Sequence, residues 1–556
     1  MKAILTFFIF FISTYTQAQY AKYVVELTDK KGTSYSLSNP IDFLAQESIE
    51  RKRKFKIPID STDLPVSKDY LDSIRSTGKV EILNTSKWLN QVLISTTDED
   101  EIIRITQFPF VKKRTPLANK ALKKNSNLLR ENIQDAGGNR TELEAEENLL
   151  NYGNTSSQVT IHEGEYLHNK GYQGQGLKIA IFDGGFLRYQ TNVAFDSIRR
   201  NGQIKMTWDF VARNSLVNED NFHGSYCLSI LAANIPGTYV GSAPQASYYL
   251  FRTEDVGSEY PIEEQNWIAA AEMADSIGVD MISSSLGYST FDDESLDHNY
   301  EDLNGKTTLI SRAAAIAAKK GIIVMTSAGN EGADDWKYIA APADAEGILS
   351  VGAVNISKQV ADFSSYGPAY DGRIKPEIAS VGWNTYLINS LGRVIRSSGT
   401  SYSNPNIAGL IACLWQAFPE FSSNEIIEEV KKSADRYTTP DTRTGYGLPN
   451  MKIAYDALVK EREVRKTMLL LKPERIKVFP IPFKDNCALL YNSTKNGKLD
   501  IQIFTIEGKW IRGLSFIVNE NELHNFTIDN LGSLSSGQYI LKYHDPIGEG
   551  IIRLVK

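Results

Sequence analysis

Four short motifs, in a fixed order along the chain, hold residue types that could together cleave an amide bond. They are Asp183-Gly184-Gly185, His223-Gly224-Ser225, Ala328-Gly329-Asn330-Glu331-Gly332 and Gly399-Thr400-Ser401. Between them they supply a carboxylate, an imidazole, an amide donor and a hydroxyl, which are the groups that acyl transfer needs. One such motif alone is weak evidence for a catalytic site. Four in order, each at the end of an apolar run or the start of a helical one, predict a catalytic site.

Three of these residues could form a hydrogen-bonded chain in which a base takes a proton from a nucleophile. A serine hydroxyl is inert at neutral pH unless a base takes its proton, so we assign Ser401 as nucleophile and His223 as base. His223 is the one histidine of six that precedes Gly-Ser and an apolar helical run. Asp183 ends an apolar strand, where a carboxylate needs a partner such as an imidazole N–H. The competing interpretation, a phosphate- or metal-binding aspartate, lacks a glycine-rich phosphate loop or an acidic cluster.

The oxygen that becomes charged during attack also needs hydrogen-bond donors. Asn330 follows the apolar run 322–327, and its side-chain amide could donate there. Without its companion motifs, the Ala-Gly-Asn triplet would indicate a turn. Pro405 suits the first turn of a helix through residues 407–417, which places Ser401 at a helix amino end, where the local potential is positive.

The stretch that contains these motifs alternates apolar runs, typical of buried strands, with helical runs. The strand candidates are residues 177–182, 247–251, 280–284, 322–327 and 348–354, and the helix candidates include 262–277 and 309–319. This alternation predicts an α/β fold with a parallel sheet covered by helices on both faces. Because sites gather at the carboxyl ends of such strands, Asp183, Ser285 and Asn330 are expected at one edge.

Length and composition limit the class of protein. A chain of 556 residues predicts several domains, and its net charge of −7 is too mild and dispersed to indicate a nucleic-acid partner. Three cysteines without Cys-x-x-Cys spacing predict neither a disulfide framework nor a thiolate zinc site. Cys227 and Cys413 are expected to be buried packing residues rather than reactive thiols.

The amino terminus has the pattern of a secretory signal peptide over residues 1–18. Lys2 precedes an apolar run of about ten residues, too short to span a bilayer, and Thr16-Gln17-Ala18 offers small residues for cleavage. The alternative is an uncleaved buried helix. No later stretch is long and apolar enough to predict a transmembrane segment.

Changes in composition divide the rest of the chain into four segments. Residues 20–112 interleave strands and helices as in a small α+β domain. Residues 113–157 are polar and are expected to form a linker with a processing site. Residues 158–463 hold the α/β domain, and residues 468–556 alternate apolar and polar side chains as in an all-β sandwich.

The α/β domain resembles the subtilisin-like serine proteases, the subtilase family. The resembling segments, over residues 160–460, are IAIFDGGF, FHGSYCLSIL, VGSAPQAS, MISSSLG, VMTSAGNEG, VGAVN, FSSYGP, KPEI, SSGTSYSNPNIAGLIA and GYGLPN. The order Asp, His, Ser is also that of subtilisin. The resemblance implies that Ser401 attacks the peptide carbonyl to form an acyl-enzyme, that His223 is the general acid–base and that Asp183 orients it. It further implies an oxyanion hole made by Asn330 and the backbone N–H of Ser401.

The same resemblance assigns the substrate-binding residues. Ser285, Leu286 and Gly287 match the family segment that pairs with an extended substrate backbone, a mode of binding that is largely blind to sequence. Ala328 and Gly329 match one wall of the primary specificity pocket.

Three departures from the family pattern leave the pocket shape and the rate open. Gly184 stands where threonine or serine is common, Tyr226 where a second histidine is frequent, and Tyr402-Ser403-Asn404 where Met-Ala-Ala or Met-Ala-Thr is usual. None of them removes a reacting group.

The flanking segments resemble known domains as well. WLNQVLISTTDEDEIIRITQFPFVKKRTP is similar to subtilase propeptides, which implies a folding aid and inhibitor released by cleavage in the linker. VFPIPFKDN, IQIFTIEGKWI, LSSGQYILKY and the terminal RLVK resemble the C-terminal sorting domain of type IX secretion; the alternative is an ordinary β accessory domain. The resemblance implies a secreted or cell-surface protein. Its partners would be protein or peptide substrates, its own propeptide and the type IX secretion machinery.

Two function hypotheses stay open at this point. The first is a secreted serine endopeptidase made as an inactive precursor. The second is a catalytically inactive subtilase scaffold that binds at a surface, which the unusual Tyr402-Ser403-Asn404 run motivates. The chemistry requires no cofactor, and structural calcium is frequent in the family although no loop here specifies a site. The sequence leaves broad and narrow substrate specificity undecided.

Overall fold

The computed structural model describes residues 20–119, 134–135, 149–218, 221–471, 474–520 and 522–556. The proposed signal peptide, residues 1–18, and most of the linker, residues 113–157, lie outside these ranges. The chain divides into two compact units, one ending at Ala454 and the other beginning at Tyr455.

The N-terminal module, residues 20–119, is an antiparallel sheet packed against helices. Its elements are β1 (Tyr20–Leu27), α1 (Gln46–Lys54), α2 (Lys68–Ser76), β2 (Glu81–Ser86), β3 (Gln91–Ser95), α3 (Glu99–Thr106) and β4 (Val111–Asn119). The strand order is β2-β3-β1-β4. Val25 and Val92 of the sheet pack with Ile74 of α2 and Ile105 of α3, so the module has its own apolar core.

The α/β part of the first unit follows a two-residue strand in the linker, β5 (Gln134–Asp135). Its strands are β6 (Lys178–Asp183), β7 (Ile204–Asp209), β8 (Asn234–Ile235), β9 (Tyr239–Val240), β10 (Ser247–Arg252), β11 (Met281–Ser284), β12 (Ile323–Ser327), β13 (Leu349–Val354), β14 (Ile378–Val381), β15 (Thr385–Ile388) and β16 (Val394–Ser397). Its helices are α4 (Ser156–Thr160), α5 (Gly164–Asn169), α6 (Asp196–Arg200), α7 (His223–Ala232), α8 (Ile262–Ser276), α9 (Leu309–Lys319), α10 (Thr400–Ala417), α11 (Ser423–Lys432) and α12 (Met451–Leu471). The last of these helices crosses the boundary between the two units.

Seven parallel strands form the central sheet, in the order β14-β13-β12-β11-β6-β10-β7. Successive residues of β11 point to opposite faces. Ser284 Oγ accepts a hydrogen bond from Trp267 of α8 at 2.9 Å, whereas Ser283 Oγ accepts one from Asn404 of α10 at 3.2 Å. Helices therefore cover both faces, as the near-continuous apolar strands predict, and the expected parallel α/β fold is confirmed.

Helix α10 begins earlier than the sequence suggests. Pro405 was expected in the first turn of a helix through residues 407–417, but the helix starts at Thr400 and Pro405 lies inside it. Proline lacks the N–H that would bond to the carbonyl four residues back, which is that of Ser401. Ser285 Oγ fills this place by donating to the Ser401 carbonyl at 2.9 Å, so the helix tolerates the proline.

The second unit contains two antiparallel sheets around one core. Its strands are β17 (Ile476–Phe479), β18 (Cys487–Asn492), β19 (Gly497–Thr505), β20 (Trp510–Val518), β21 (Leu523–Ile528), β22 (Gln538–His544) and β23 (Glu549–Val555). The sheet orders are β17-β18-β21 and β20-β19-β22-β23. Leu499, Ile501 and Ile503 alternate inward along β19 and pack against residues of the other sheet. Within the described ranges, no helix has the length and apolarity needed to cross a membrane.

The N-terminal module contacts α8 through buried charges. The Glu272 carboxylate accepts hydrogen bonds from Ser86 Oγ at 2.5 Å, from the Lys87 N–H at 2.7 Å and from the Trp88 N–H at 3.0 Å. One turn later, Asp275 Oδ1 lies 2.6 Å from an Arg51 nitrogen. Glu272 on α8 thus accepts the hydrogen bonds of the turn between β2 and β3.

A second group of ion pairs spans the same interface, and each side contributes both a lysine and an aspartate. Asp275 Oδ1 lies 2.7 Å from Lys52 Nζ of the module, and Lys320 of the α/β part lies 2.7 Å from Asp63 of the module. Lys52, Asp63 and Asp275 have fully buried side chains. Burial favours the neutral acid at Asp275, but Lys52 and Arg51 outweigh it and lower the pKa of this carboxyl.

Candidate active site

Asp183 and His223 form a buried hydrogen-bonded pair. Asp183 ends β6 and His223 begins α7, where the His223 N–H donates to Asn221 Oδ1 at 2.7 Å. Nδ1 of His223 lies 2.8 Å from Asp183 Oδ1, which also accepts from the Gly184 N–H at 2.8 Å. An Nδ1–H donated to the carboxylate leaves Nε2 unprotonated, the tautomer that a general base needs.

The carboxylate sets the basicity of this imidazole. Burial lowers the pKa of His223, but the Asp183 carboxylate outweighs burial and raises that pKa well above its usual value near 6.5. The second oxygen of Asp183 is buried and has no hydrogen-bond partner among the described residues. The pair therefore favours the imidazolium that forms when His223 accepts a proton.

Ser401 is the second residue of α10 and is 8% exposed. Its Oγ donates to the carbonyl of Ser285 at 3.2 Å, and Ser285 Oγ donates back to the carbonyl of Ser401. This reciprocal contact links the start of α10 to the end of β11. Proton transfer to His223 requires the Ser401 hydroxyl to turn from the Ser285 carbonyl toward Nε2.

Cys227 contacts both the imidazole and residue 401. It lies one turn after His223 on α7, with its Sγ 3.9 Å from His223 Nδ1 and 3.5 Å from the Ser401 carbonyl oxygen. The ring of Tyr402 lies 5.8 Å from the imidazole, centre to centre. The structure thus brings Asp183, His223 and Ser401 to one place, at the carboxyl ends of the strands.

Asn330 is held with its amide nitrogen free. Its Oδ1 accepts from the Thr400 N–H at 2.8 Å and from Thr400 Oγ1 at 3.0 Å. Because a backbone N–H can only donate, these contacts identify the oxygen and leave Nδ2 on the other side. The residue is exposed and Nδ2 has no partner within the described ranges. The start of α10, including the Ser401 N–H, lies beside it, where helix N–H groups lack internal acceptors.

The proposed substrate-binding residues line the same region. Gly287 is exposed, and its backbone makes no hydrogen bond within the described ranges, so it can pair with another chain. The Leu286 carbonyl is held by Ser327 Oγ at 3.3 Å. Gly329 has φ of 111°, which favours glycine, and a Cβ there would lie 2.5 Å from Glu331 Oε2. The adjoining Ala328 is fully buried.

Two departures from the family pattern pack in the same apolar cluster. Tyr226 of α7 and Tyr402 of α10 belong to one apolar cluster, together with Cys227, Ile230, Leu387 and Ile395. The ring of Tyr226 also lies 4.8 Å from that of Phe222, and the ring of Tyr402 lies next to the imidazole of His223. Asn404, in the same run as Tyr402, donates through Nδ2 to the Ser284 carbonyl at 3.2 Å and so joins α10 to β11.

The other histidines of the α/β part have different partners. His162 contacts Ser380, His168 contacts Tyr152, and His298 contacts Glu264. The spacing of Cys227 four residues after His223 predicts one helix face for both, but only as packing, and the structure adds the contact with the imidazole. Sequence reasoning missed the role of the Ser285 hydroxyl.

Soft metal ions are expected to inhibit through Cys227. Asp183, His223 and Cys227 are the one group of three metal-ligand side chains found within the described ranges, with ligand atoms within 4.8 Å of one another. Thiolate and imidazole bind soft cations tightly.

We expect a few equivalents of Hg²⁺ to abolish peptide hydrolysis by the processed protein. The variant Cys227→Ser should stay active within about threefold and should resist inhibition by the ion. Cys413→Ser, also a buried thiol, is the control and should remain sensitive. Equal inhibition of the two variants would contradict this role.

Comparisons with known proteins agree with the resemblances. The model of the subtilase family matches residues 174–447. The peptidase S8 propeptide domain of Bacteroidota matches residues 22–134, and the secretion system C-terminal sorting domain matches residues 477–556. The sorting domain indicates secretion and attachment at the cell surface.

Three curated proteins illustrate the relationship. Serine protease AprX of Bacillus subtilis (strain 168) is 29% identical over 297 residues, which cover 48% of this chain and 63% of that protein. The thermostable alkaline protease of Halalkalibacterium halodurans is 26% identical over 283 residues, covering 51% and 68%. Subtilisin NAT of Bacillus subtilis subsp. natto is 28% identical over 293 residues, covering 52% and 68%. The chain thus contains a subtilase-family domain at residues 174–447, with a propeptide domain before it and a sorting domain after it.

Proposed function

We propose that this chain is a secreted serine endopeptidase, made as an inactive precursor, that cleaves peptide bonds through Asp183, His223 and Ser401. In the proposed reaction, Ser401 Oγ attacks the carbonyl carbon while His223 takes its proton. The C–N bond then breaks, and His223 returns the proton to the departing amine. Water hydrolyses the acyl-enzyme by the same path in reverse.

The observation that carries the proposal is the meeting of the three groups at one sheet edge. His223 Nδ1 is 2.8 Å from Asp183, and the thiol of Cys227 touches both the imidazole and residue 401. Asn330 Nδ2 and the Ser401 N–H would stabilise the oxyanion. An aligned donor of this kind is worth about 10²–10³ in kcat, by the value known for subtilisin.

The packing of the N-terminal module supports the proposal that the protein is made as an inactive precursor. Leu117, near the end of β4, packs with Ile262 and Tyr260 of the α/β part. The end of the module is therefore packed against the α/β part while both belong to one chain. A module attached covalently in this way is present at a high effective concentration, so we infer that it competes with substrates until the linker is cut.

The buried Asp275 is expected to control how tightly the cleaved propeptide is held. Asp275→Asn leaves Arg51 and Lys52 buried against a neutral group, and breaking a buried ion pair from one side costs about 3–5 kcal/mol. We expect the propeptide to bind the processed protein at least about 100-fold more weakly. Co-elution of the propeptide in size-exclusion chromatography, with Kd from titration, measures this. Asp72→Asn, in the exposed pair with Lys68, is the control and should change nothing. Unchanged binding by Asp275→Asn would contradict the role of this interface.

Hydrolysis of casein by the processed protein tests the proposed function. The wild type should digest casein, and Ser401→Ala, supplied as separately expressed propeptide and peptidase parts, should not. Absence of hydrolysis by a folded, processed wild type would favour the inactive scaffold instead. The requirement for structural calcium stays a prediction, which a chelator titration of thermal stability tests.

A further inference from the structure

Arg252 connects the carboxyl ends of three neighbouring strands of the central sheet. It is the last residue of β10, which lies between β6 and β7, and it pairs with Asp183 of β6 and Asp209 of β7. Its side chain is 7% exposed. Nε donates to the Gly184 carbonyl at 3.2 Å, and Nη1 donates to Asp209 Oδ2 at 2.7 Å. One buried guanidinium thus bonds to the ends of both neighbouring strands.

Asp209 fixes the orientation of this guanidinium. Its Oδ1 accepts from the N–H groups of Val211 and Ala212, both at 2.8 Å, so Oδ2 remains for Arg252. A guanidinium is planar and its donors point in fixed directions. The contact with Asp209 therefore also directs Nε toward the Gly184 carbonyl.

Gly184 links this ion pair to the reacting groups. Its carbonyl accepts from Arg252, while its N–H donates to Asp183 Oδ1 at 2.8 Å. The same Asp183 oxygen lies 2.8 Å from Nδ1 of His223. A hydrogen-bonded path therefore runs from Asp209 through the guanidinium and the Gly184 backbone to the carboxylate that holds the imidazole.

The backbone at residue 184 needs such support. Gly184 stands where threonine or serine is common in the family, and it has no hydroxyl with which to bond to nearby backbone groups. A glycine also has more backbone freedom than any other residue. A Cβ at this position would lie 3.0 Å from Val256 Cγ1, which leaves little room for a side chain. The guanidinium restrains the glycine from the neighbouring strand.

We propose that Arg252 is a positioning residue for Asp183. Fixed by Asp209, it holds the Gly184 backbone so that the Asp183 carboxylate keeps one orientation toward His223. This inference rests on the proposed function, in which that carboxylate orients the base. It adds to the site a buried ion pair that contacts neither the substrate nor the atoms that react.

Arg252→Lys in the processed protein tests the proposal. Lysine keeps a positive charge opposite Asp209, but its ammonium is a single point and lacks the planar set of donors that reaches both Asp209 and Gly184. With a peptide substrate, kcat should fall about tenfold and KM should stay within about twofold, because the reacting groups are misplaced while substrate binding is intact. An unchanged kcat in folded Arg252→Lys overturns the proposal.

The pH profile of the same variant gives a readout that a purely structural role would not move. The Asp183 carboxylate raises the pKa of His223 against the effect of burial, and Cys227 adds to the rise. A poorly held carboxylate raises this pKa less, so the acid limb of kcat/KM should move to lower pH. Burial raises the pKa of Glu254 to about 7, and the charge of Arg252 opposes that rise. Lysine preserves this charge, so Glu254 should not account for the shift.

Arg199→Lys is the matched control. Arg199 also donates to two backbone carbonyls, those of Tyr189 and Asn192, each at 2.8 Å, and it pairs with Asp196. The same substitution there should leave both kcat and the acid limb unchanged. Equal changes in Arg199→Lys and Arg252→Lys would contradict a specific role for Arg252.

A double-mutant cycle with Asp183→Asn shows whether Arg252 acts through the carboxylate. Arg252→Lys should lower the rate of the wild type about tenfold but that of Asp183→Asn less than about twofold, because coupled residues are not additive. A tenfold loss in both backgrounds would show that Arg252 supports the structure independently of Asp183, and it overturns the proposal.

A second variant serves if thermal unfolding shows that Arg252→Lys is not folded. Arg252→Gln with Asp209→Asn removes both charges together, so neither remains buried without its partner. It should give the same loss of kcat, the same shift and the same cycle. Failure of the proposed function looks different: the wild type would not cleave the peptide, or Asp183→Asn would be as active as the wild type. Failure of the present inference leaves those two results as expected and removes only the response to the changes at Arg252.

Discussion

Replacement of Ser401 by alanine is expected to lower kcat about 10⁶-fold while leaving the fold intact. This magnitude is the one known for the equivalent serine of subtilisin. The hydroxyl is the only proposed group that bonds to the substrate carbon, so no neighbour can replace it. Its loss removes one hydrogen bond, to the Ser285 carbonyl at 3.2 Å, which costs about 1 kcal/mol of stability. The full-length variant should also remain an unprocessed precursor.

A matched variant separates chemistry from folding. Ser403 is fully buried two residues later on α10, and its Oγ donates to the Thr400 carbonyl at 2.9 Å. Ser403→Ala deletes the same atom from the same helix and should keep kcat within about threefold. Active-site titration and steady-state kinetics on a peptide substrate measure both variants. Comparable losses in the two would show that Ser401 acts through the structure of the helix and not through bond formation.

The change Asp183→Asn is expected to lower kcat about 10⁴-fold near neutral pH. The carboxylate holds the Nδ1–H of His223 at 2.8 Å, and an amide in its place can favour the wrong tautomer. Asp280→Asn is the control, because its carboxylate caps the Lys178 N–H at 2.9 Å, just before β11 at the opposite end of the sheet. That variant should keep most of its activity.

The pH profile gives the second readout of the same change. His223 acts as a base only when neutral, so activity of the wild type should rise as pH increases through the imidazole pKa, which Asp183 raises above 6.5. Removing the carboxylate leaves burial, which lowers that pKa, so the acid limb of kcat/KM should move to lower pH in Asp183→Asn. An unmoved or more alkaline limb would contradict the assigned pair.

The strands and site residues were predictable because their signals are local. The apolar runs at 177–182 and 322–327 nearly coincide with β6 and β12, since a strand buried on both faces needs continuous apolar residues. The residues just after each run then fall at the sheet edge. Asp183 comes directly after the first run and Asn330 three positions after the second, and both lie at the site.

The remaining features depend on contacts between distant segments. Pro405 follows a local rule for helix starts, but the Ser285 hydroxyl, 120 positions earlier, supplies the hydrogen bond that the proline removes. The cluster that holds Tyr226 and Tyr402 depends on α7 lying against α10. The pairing of β16 with β5 likewise joins segments that are far apart in the sequence. No single stretch of sequence carries these signals.

Labelling with a serine-directed phosphonylating reagent tests the central assignment most directly. The processed wild type should take up one equivalent, and peptide mapping by mass spectrometry should place the adduct on Ser401. Asp183→Asn should label far more slowly, because its imidazole no longer activates the hydroxyl. A folded, processed wild type that takes up no reagent, or that carries it on another residue, would contradict the account.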